Sequence, residues 1–203
     1  MIEEVLCPDG SCTIRFQGRL LASRFAPQQE AVLWVKKRLE FLNQVKTIFI
    51  LGAGSGYHIG EILAQSAAQV VVIEPAAELI DLVQVIHNFD SKRVRFENLK
   101  SITDLRSCES IRAAISESFV CLVHSPSRQG RESLFDELRS QLVGRDWGAL
   151  TWQWRLQGLG ELDPVPRVGS EKLTIYDLEQ TELVSNGEER EALLIKALRE
   201  LVK

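Results

Sequence analysis

Gly52, Gly54 and Gly56 stand at alternate positions directly after the apolar run Ile48-Phe49-Ile50-Leu51. Glycines at that spacing let a chain turn sharply and let its backbone approach a ligand with no Cβ in the way. A helical pattern begins at Tyr57, and the first amides of such a helix point at whatever sits on the turn. A second apolar run, Val70-Val71-Val72-Ile73, ends in Glu74, 22 residues beyond Gly52. An acid at the end of the second strand can accept hydrogen bonds from ribose hydroxyls. The order strand, glycine turn, helix, strand, acid predicts a nucleotide-type ligand at the turn. The same order also fits a structural turn that binds nothing, with Glu74 a solvated strand end.

Other residues border this turn. A dinucleotide site wants a small residue three positions after Gly54, where this chain has Tyr57. Gly-x-Gly-x-Gly is instead the spacing used to bind S-adenosylmethionine, although Ile50 replaces the acid those enzymes usually carry two residues before the first glycine. His58 could touch a ligand phosphate or cap the turn. Glu97-Asn98 follows a third short apolar stretch, where an acid would contact an adenine edge. His124-Ser125-Pro126-Ser127 ends the run Phe119–Val123, at the strand ends where substrate-facing groups gather in open α/β sheets. His124 is the candidate general base, set against the blander role of a hydrogen-bonded strand-end histidine. Arg128 and Arg131 are near enough to meet a phosphate or carboxylate, or simply to open a solvated helix.

The elements that must position these groups alternate. The spacing predicts a β-hairpin over 12–25 and a covering helix over 28–43 opened by Pro27. Strands at 47–51, 69–74, 93–97 and 119–123 alternate with helices at 57–66, 76–87, 107–117 and 130–143. Continuous apolar strands separated by helices predict a parallel sheet buried on both faces. The last third reads as a tryptophan-rich strand at 149–155, a loop over 158–169, a strand at 172–177 and a closing helix over 188–202. The expected fold is α/β: a three-layer, Rossmann-like, methyltransferase-like, mostly parallel sheet with a small N-terminal β-hairpin element. Residues 1–45 form the hairpin and covering helix, and 46–203 the Rossmann-like unit, within one continuous globular body. A late hairpin suits a methyltransferase-like sheet better than a dinucleotide fold.

The chain has 203 residues, 45% hydrophobic and 26% charged, with a net charge of −4. That balance gives no electrostatic footprint for nucleic acid or an anionic membrane. No apolar run approaches the ~20 residues that span a bilayer, and the N-terminus lacks the features of a signal peptide. A cytoplasmic address is therefore expected. Four cysteines without a CxxC pair, and three histidines, give no metal-ligand spacing. Cys7 and Cys12 could meet across Pro8-Asp9-Gly10, and free thiols are the expectation in a reducing compartment.

Leu51-Gly52-Ala53-Gly54-Ser55-Gly56-Tyr57-His58, with Ile73-Glu74-Pro75 after it, resembles the N-terminal domain of the motility accessory factor proteins, as do Asp9-Gly10-Ser11 and the stretch Leu21–Ala31. Those bacterial proteins are linked to transfer of nonulosonic sugars to flagellin. The resemblance covers residues 5–145. Sugar transfer belongs to a second domain that nothing after residue 145 resembles, so it does not carry over. Two readings follow. The chain is a module for an adenosyl or nucleotide ligand, non-catalytic or dependent on a protein partner. Alternatively it is an S-adenosylmethionine-dependent methyltransferase acting on a small molecule or protein. In the second, Gly52, Gly54, Gly56 and Glu74 hold the cofactor, with Tyr57 and His58 beside them. Glu97 or Asn98 borders the adenine, and His124 faces the substrate.

Overall fold

The computed structural model describes residues 2–144 and 147–156. Its centre is a four-stranded parallel sheet in the order β6-β5-β4-β7, built from β4 (Thr47–Leu51), β5 (Gln69–Ile73), β6 (Val94–Glu97) and β7 (Phe119–Val123). Every residue of β4 is buried, as is β5 beyond Gln69. This is why both read as unbroken apolar runs rather than alternating ones. β4 is the switch point: the chain steps outward through β5 and β6, then returns to place β7 on the opposite side. Ligands in such sheets bind outside the carboxyl ends of the strands at that reversal.

Helices connect the strands. They are α3 (Tyr57–Gln65), α4 (Ala77–His87), the pair α5 (Ile102–Ser107) and α6 (Glu109–Ile115), the short turn α7 (Ser125–Arg128) and α8 (Glu132–Val143). Asn88, at φ 44°, ends α4 in a left-handed cap. The Ser101 hydroxyl accepts the Asp104 N–H and starts α5. The expected helix over 107–117 is α6, and the unforeseen α5 precedes it, separated by the extended Cys108. The covering helix is two pieces, α1 (Pro27–Lys36) and α2 (Leu39–Leu42). Val35 of α1 and Leu42 of α2 join the core formed with β4, β5, Ile59 and Ile62.

Two expectations are corrected. The N-terminal β-element has three strands, with β1 (Ile2–Leu6) pairing antiparallel to β2 (Cys12–Phe16), and β2 pairing to β3 (Arg19–Leu20). The expected strand at 149–155 is helical, within α9 (Trp147–Leu156). Leu150, Trp152 and Trp154 alternate like strand residues, but Ala149, Leu150, Gln153 and Arg155 are good helix formers. One half of the expected late hairpin is therefore absent. The loop at 158–169, the strand at 172–177 and the closing helix lie outside the described residues.

The chain divides after Arg139. Every residue of the candidate site lies before that point. None of the four cysteines is in a disulfide. Among the described residues, no helix is long and apolar enough to cross a membrane.

Candidate functional site: the glycine loop and its cover

The loop after β4 is pinned by its own backbone. The Gly52 N–H donates to the Ile73 carbonyl (2.9 Å), and the Gly56 N–H to the Ala53 carbonyl (3.1 Å). Gly52 (φ +103°) and Gly54 (φ +55°) lie in the left-handed region that side chains rarely adopt. The close approach that the glycines permit is used by the chain's own side chains. A Cβ at Gly52 would fall 2.3 Å from Ser127 Cβ, one at Gly54 2.5 Å from His124 Cε1, and one at Gly56 2.3 Å from His87 Cδ2.

All three histidines of the chain thus gather at this loop. His58, in the first turn of α3, and His124, at the end of β7, stack face to face with ring centroids 4.1 Å apart and planes 3° from parallel. Trp34 meets both rings edge-on, at 5.5 and 6.3 Å. His58 Nε2–H donates to the Gly52 carbonyl at 3.2 Å, and His124 Nδ1 bonds the Ser127 hydroxyl at 2.7 Å. Burial, the largest cause, pushes the His58 pKa down to about 4. Burial also lowers His124 well below the ordinary imidazole range, helped by His58 and Arg38. Both rings are neutral at neutral pH, so His124 is in the form that accepts a proton. His87 bonds the Ser55 carbonyl through Nε2 at 2.6 Å and stacks on Phe89, and its pKa is lowered chiefly by burial.

Two loop residues fasten the N-terminal sheet. Ser55 Oγ pairs with Thr13 Oγ1 and accepts the Ile14 N–H, both at 3.0 Å. The Tyr57 hydroxyl donates to the Cys12 carbonyl at 2.7 Å and accepts the Cys12 N–H at 3.1 Å. Tyr57, which makes the loop unsuitable for a dinucleotide, completes a strand edge instead.

Glu74 is fully buried, and both carboxylate oxygens are engaged. Oε2 accepts the Ala53 N–H (3.0 Å), while Oε1 accepts the Ala76 N–H (3.1 Å) and the Arg131 guanidinium. The Arg131 side chain is 14% exposed and also donates to the Ser127 carbonyl. It lies over the rings of Phe16 and Phe135. Arg131 therefore crosses the carboxyl end of the sheet between β2 and α8. Asn98 donates to the Glu74 carbonyl (2.9 Å), and the Glu74 N–H to the Glu97 carbonyl (3.0 Å). The Glu97 carboxylate accepts the Ser110 hydroxyl at 2.5 Å. Arg128 is turned away, paired with the exposed Asp136.

The structure thus brings Gly52, Gly54, Gly56, His58 and His124 into one cluster, and Glu74, Glu97 and Asn98 into another along the strand ends. The link between the clusters is Ser127 and Arg131. Sequence reasoning named Arg131 as a possible partner of a carboxylate but did not identify Glu74 as that carboxylate. His87, Trp34 and Thr13 carried no motif. The one signal available for His87 was that a 203-residue chain spends only three histidines.

A cavity of about 240 Å³ lies between α1 and this loop. Pro27, Ala31 and Trp34 form one wall, and Tyr57, His58 and His124 the other. Glu30, Ala22 and Pro126 also border it. No group of three or more histidine, cysteine or acidic side chains among the described residues could hold a metal ion.

No protein family's sequence profile matches the chain, and no curated protein does. The chain is similar in structure to a spermidine synthase in complex with the transition-state analogue AdoDATO. The TM-score is 0.52 at 15% identity, over 78% of this chain and 60% of that one. It thus spans less than two thirds of that structure's length. A spermidine synthase from Thermotoga maritima superposes with a TM-score of 0.48 at 13% identity, over 96% of this chain and 84% of that one. With the sheet order and the small antiparallel sheet, the first likeness identifies the fold as Rossmann-like and methyltransferase-like.

Proposed function

We propose that this chain is a ligand-binding module on a methyltransferase-like frame, non-catalytic or dependent on a partner. Its occupant is an adenosyl or nucleotide ligand that must displace Arg131 from Glu74. The carrying observation is the Glu74 carboxylate, fully buried with Arg131 and two backbone N–H groups on its oxygens. In this reading Gly52, Gly54, Gly56, Tyr57, His58, Glu74, Glu97 and Asn98 border the groove. Ribose hydroxyls would take over the oxygen that Arg131 holds. Residues 1–45 are the cover and 46–203 the frame. The pattern shared with motility accessory factor N-terminal domains supports a module of this kind. The similarity of frame to a protein that holds AdoDATO supports S-adenosylmethionine and its relatives as the first ligands to try.

One observation favours the methyltransferase alternative. His124 sits at the carboxyl end of β7 and borders a cavity. Methyl transfer asks little of a protein beyond proximity and alignment, so an acceptor held beside His124 would suffice, with the imidazole a weak base because burial depresses its pKa.

Calorimetry with S-adenosylmethionine and S-adenosylhomocysteine, on wild type and Arg131→Met, separates the two. The module reading expects weak binding by wild type, at least tenfold tighter binding by R131M, and no methyl transfer. Arg131→Lys, which keeps the charge but loses the planar fork, backs up R131M should that variant not fold. Micromolar binding by wild type with methyl transfer to an added acceptor would install the methyltransferase reading. No binding by any form would remove the ligand from the proposal.

A further inference from the structure

We infer that the cavity between α1 and the glycine loop is a binding site in its own right, for a small uncharged nitrogen heterocycle that donates a hydrogen bond to His58. The cavity shares Tyr57 and His58 with the adenosyl groove but not the groove's acid. Neither Glu74, Glu97, Asn98 nor Arg131 lines the cavity, and Arg131 need not move to fill it.

The polar groups select the ligand. Because His58 Nε2–H is spent on the Gly52 carbonyl, Nδ1 of the neutral ring is an acceptor, and it has no partner among the described residues. His124 Nε2 likewise has none, its Nδ1 being engaged by Ser127. The two side chains are 4% and 6% exposed, both line the cavity, and neither free nitrogen is sealed from solvent. Two ring nitrogens without a partner among the described residues, at the wall of a cavity, are placed to meet a bound donor. Of the other hydroxyls that line the cavity, two are already used, and Ser125 stands at the exposed edge. Tyr57 Oη is on Cys12, and Ser55 Oγ is on Thr13 and Ile14.

Charge and size narrow the class. An anion would face the Glu30 carboxylate at the rim. A cation at the histidine end would feel repulsion from Arg38, which does not line the cavity but lies 4.1 Å over the Trp34 ring and acts on His124. The walls are rings or small apolar groups: Pro27, Ala31, Trp34, Tyr57 and Pro126. At about 240 Å³ the space is below the ~300–1,000 Å³ that holds drug-sized ligands. One ring or a fused pair, of nucleobase size, fills it.

The test is an NMR titration of histidine-labelled protein at pH 7.5, with three ring signals assigned by single substitutions. Benzimidazole and hypoxanthine are the uncharged probes; butylamine and benzoate are the charged ones. Saturable shifts of His58 and His124 with the uncharged probes, at least tenfold weaker effects with the charged ones, and little movement of His87 are expected. Ala22→Phe, which fills the cavity from its edge, should weaken binding at least tenfold without altering the His87 signal. Two results overturn the inference: no saturable shift of His58 or His124 up to the probes' solubility, or shifts that A22F leaves unchanged. Neither bears on the adenosyl reading, which is decided by S-adenosylhomocysteine binding to R131M.

Discussion

Removing Arg131 should destabilise the protein in proportion to how fully Glu74 is withdrawn from water. Glu74 has no exposed side-chain surface, and Arg131 keeps 14%. Deleting one partner of a buried pair typically costs ~3–5 kcal/mol, because a charge is left uncompensated. Arg131→Met keeps much of the packing over Phe16 and Phe135 while removing the charge. With a urea m-value of ~2 kcal/mol/M, that loss lowers the unfolding midpoint by about 1.5–2.5 M. Glu74→Gln should cost at least ~1–3 kcal/mol, since one of the Ala53 and Ala76 N–H groups loses its acceptor and Arg131 loses its counter-charge. The double variant should recover part of the sum, with a coupling energy up to ~3 kcal/mol. Lys46→Met is the control, because Lys46 and Glu117 form an exposed pair, 70% and 47% accessible, of a kind worth ~0–1 kcal/mol. Urea titrations followed by circular dichroism measure all four. If R131M behaves like K46M, or the two substitutions add, Arg131 does not hold Glu74. The groove would then stand open, and the reasoning behind the proposed function fails.

Other outcomes follow from the same contacts. Ser55→Ala should cost ~1–3 kcal/mol by orphaning the buried Ile14 N–H, read as a drop in thermal midpoint. Gly54→Ala should cost about 2–5 kcal/mol, combining backbone strain with a Cβ 2.5 Å from the His124 ring. Gly10→Ala, at φ +82° with nothing within 4 Å, should show the strain alone. Acidification should also destabilise the protein, and the sign follows from the histidines. Their folded pKa values lie below the ordinary 6.5, so the unfolded chain takes up protons that the folded one refuses. The stabilisation is complete above about pH 6.5 and is lost as the pH falls toward 4. His58 alone contributes ~3 kcal/mol over that window. Denaturant midpoints between pH 7 and 4 should fall less steeply for His58→Phe.

The sheet was legible because β4 and β5 are apolar throughout, and only a doubly covered parallel strand needs that. The glycine turn was legible because its spacing carries its own geometry. What lies on the turn was not. His124 reaches it from just past β7, Ser127 from α7 and His87 from the end of α4, through packing that no local pattern encodes. Glu74 reads the same whether it faces a ligand or an arginine 57 residues further on. β1 was hidden because Ile2-Glu3-Glu4-Val5-Leu6 is short, carries two adjacent acids that break the alternation, and is mostly exposed. The tryptophan segment misled because bulky residues at alternate positions mimic a strand, while the intervening residues favour a helix.

The fastening of the N-terminal sheet by Ser55 and Tyr57 also bears on the order of events during synthesis. The partners of these two side chains, Cys12, Thr13 and Ile14, leave the ribosome first, 41 to 45 residues ahead of them. Closing a loop of that length carries an entropic cost of ~3 kcal/mol, and until it closes strand β2 presents unsatisfied amides at an open edge. The nascent sheet must therefore wait for the glycine turn and the first turn of α3 before it can lock. Ribosome-stalled chains ending near residue 55 plus the tunnel length should be readily cut within residues 1–20, and chains about a dozen residues longer should resist.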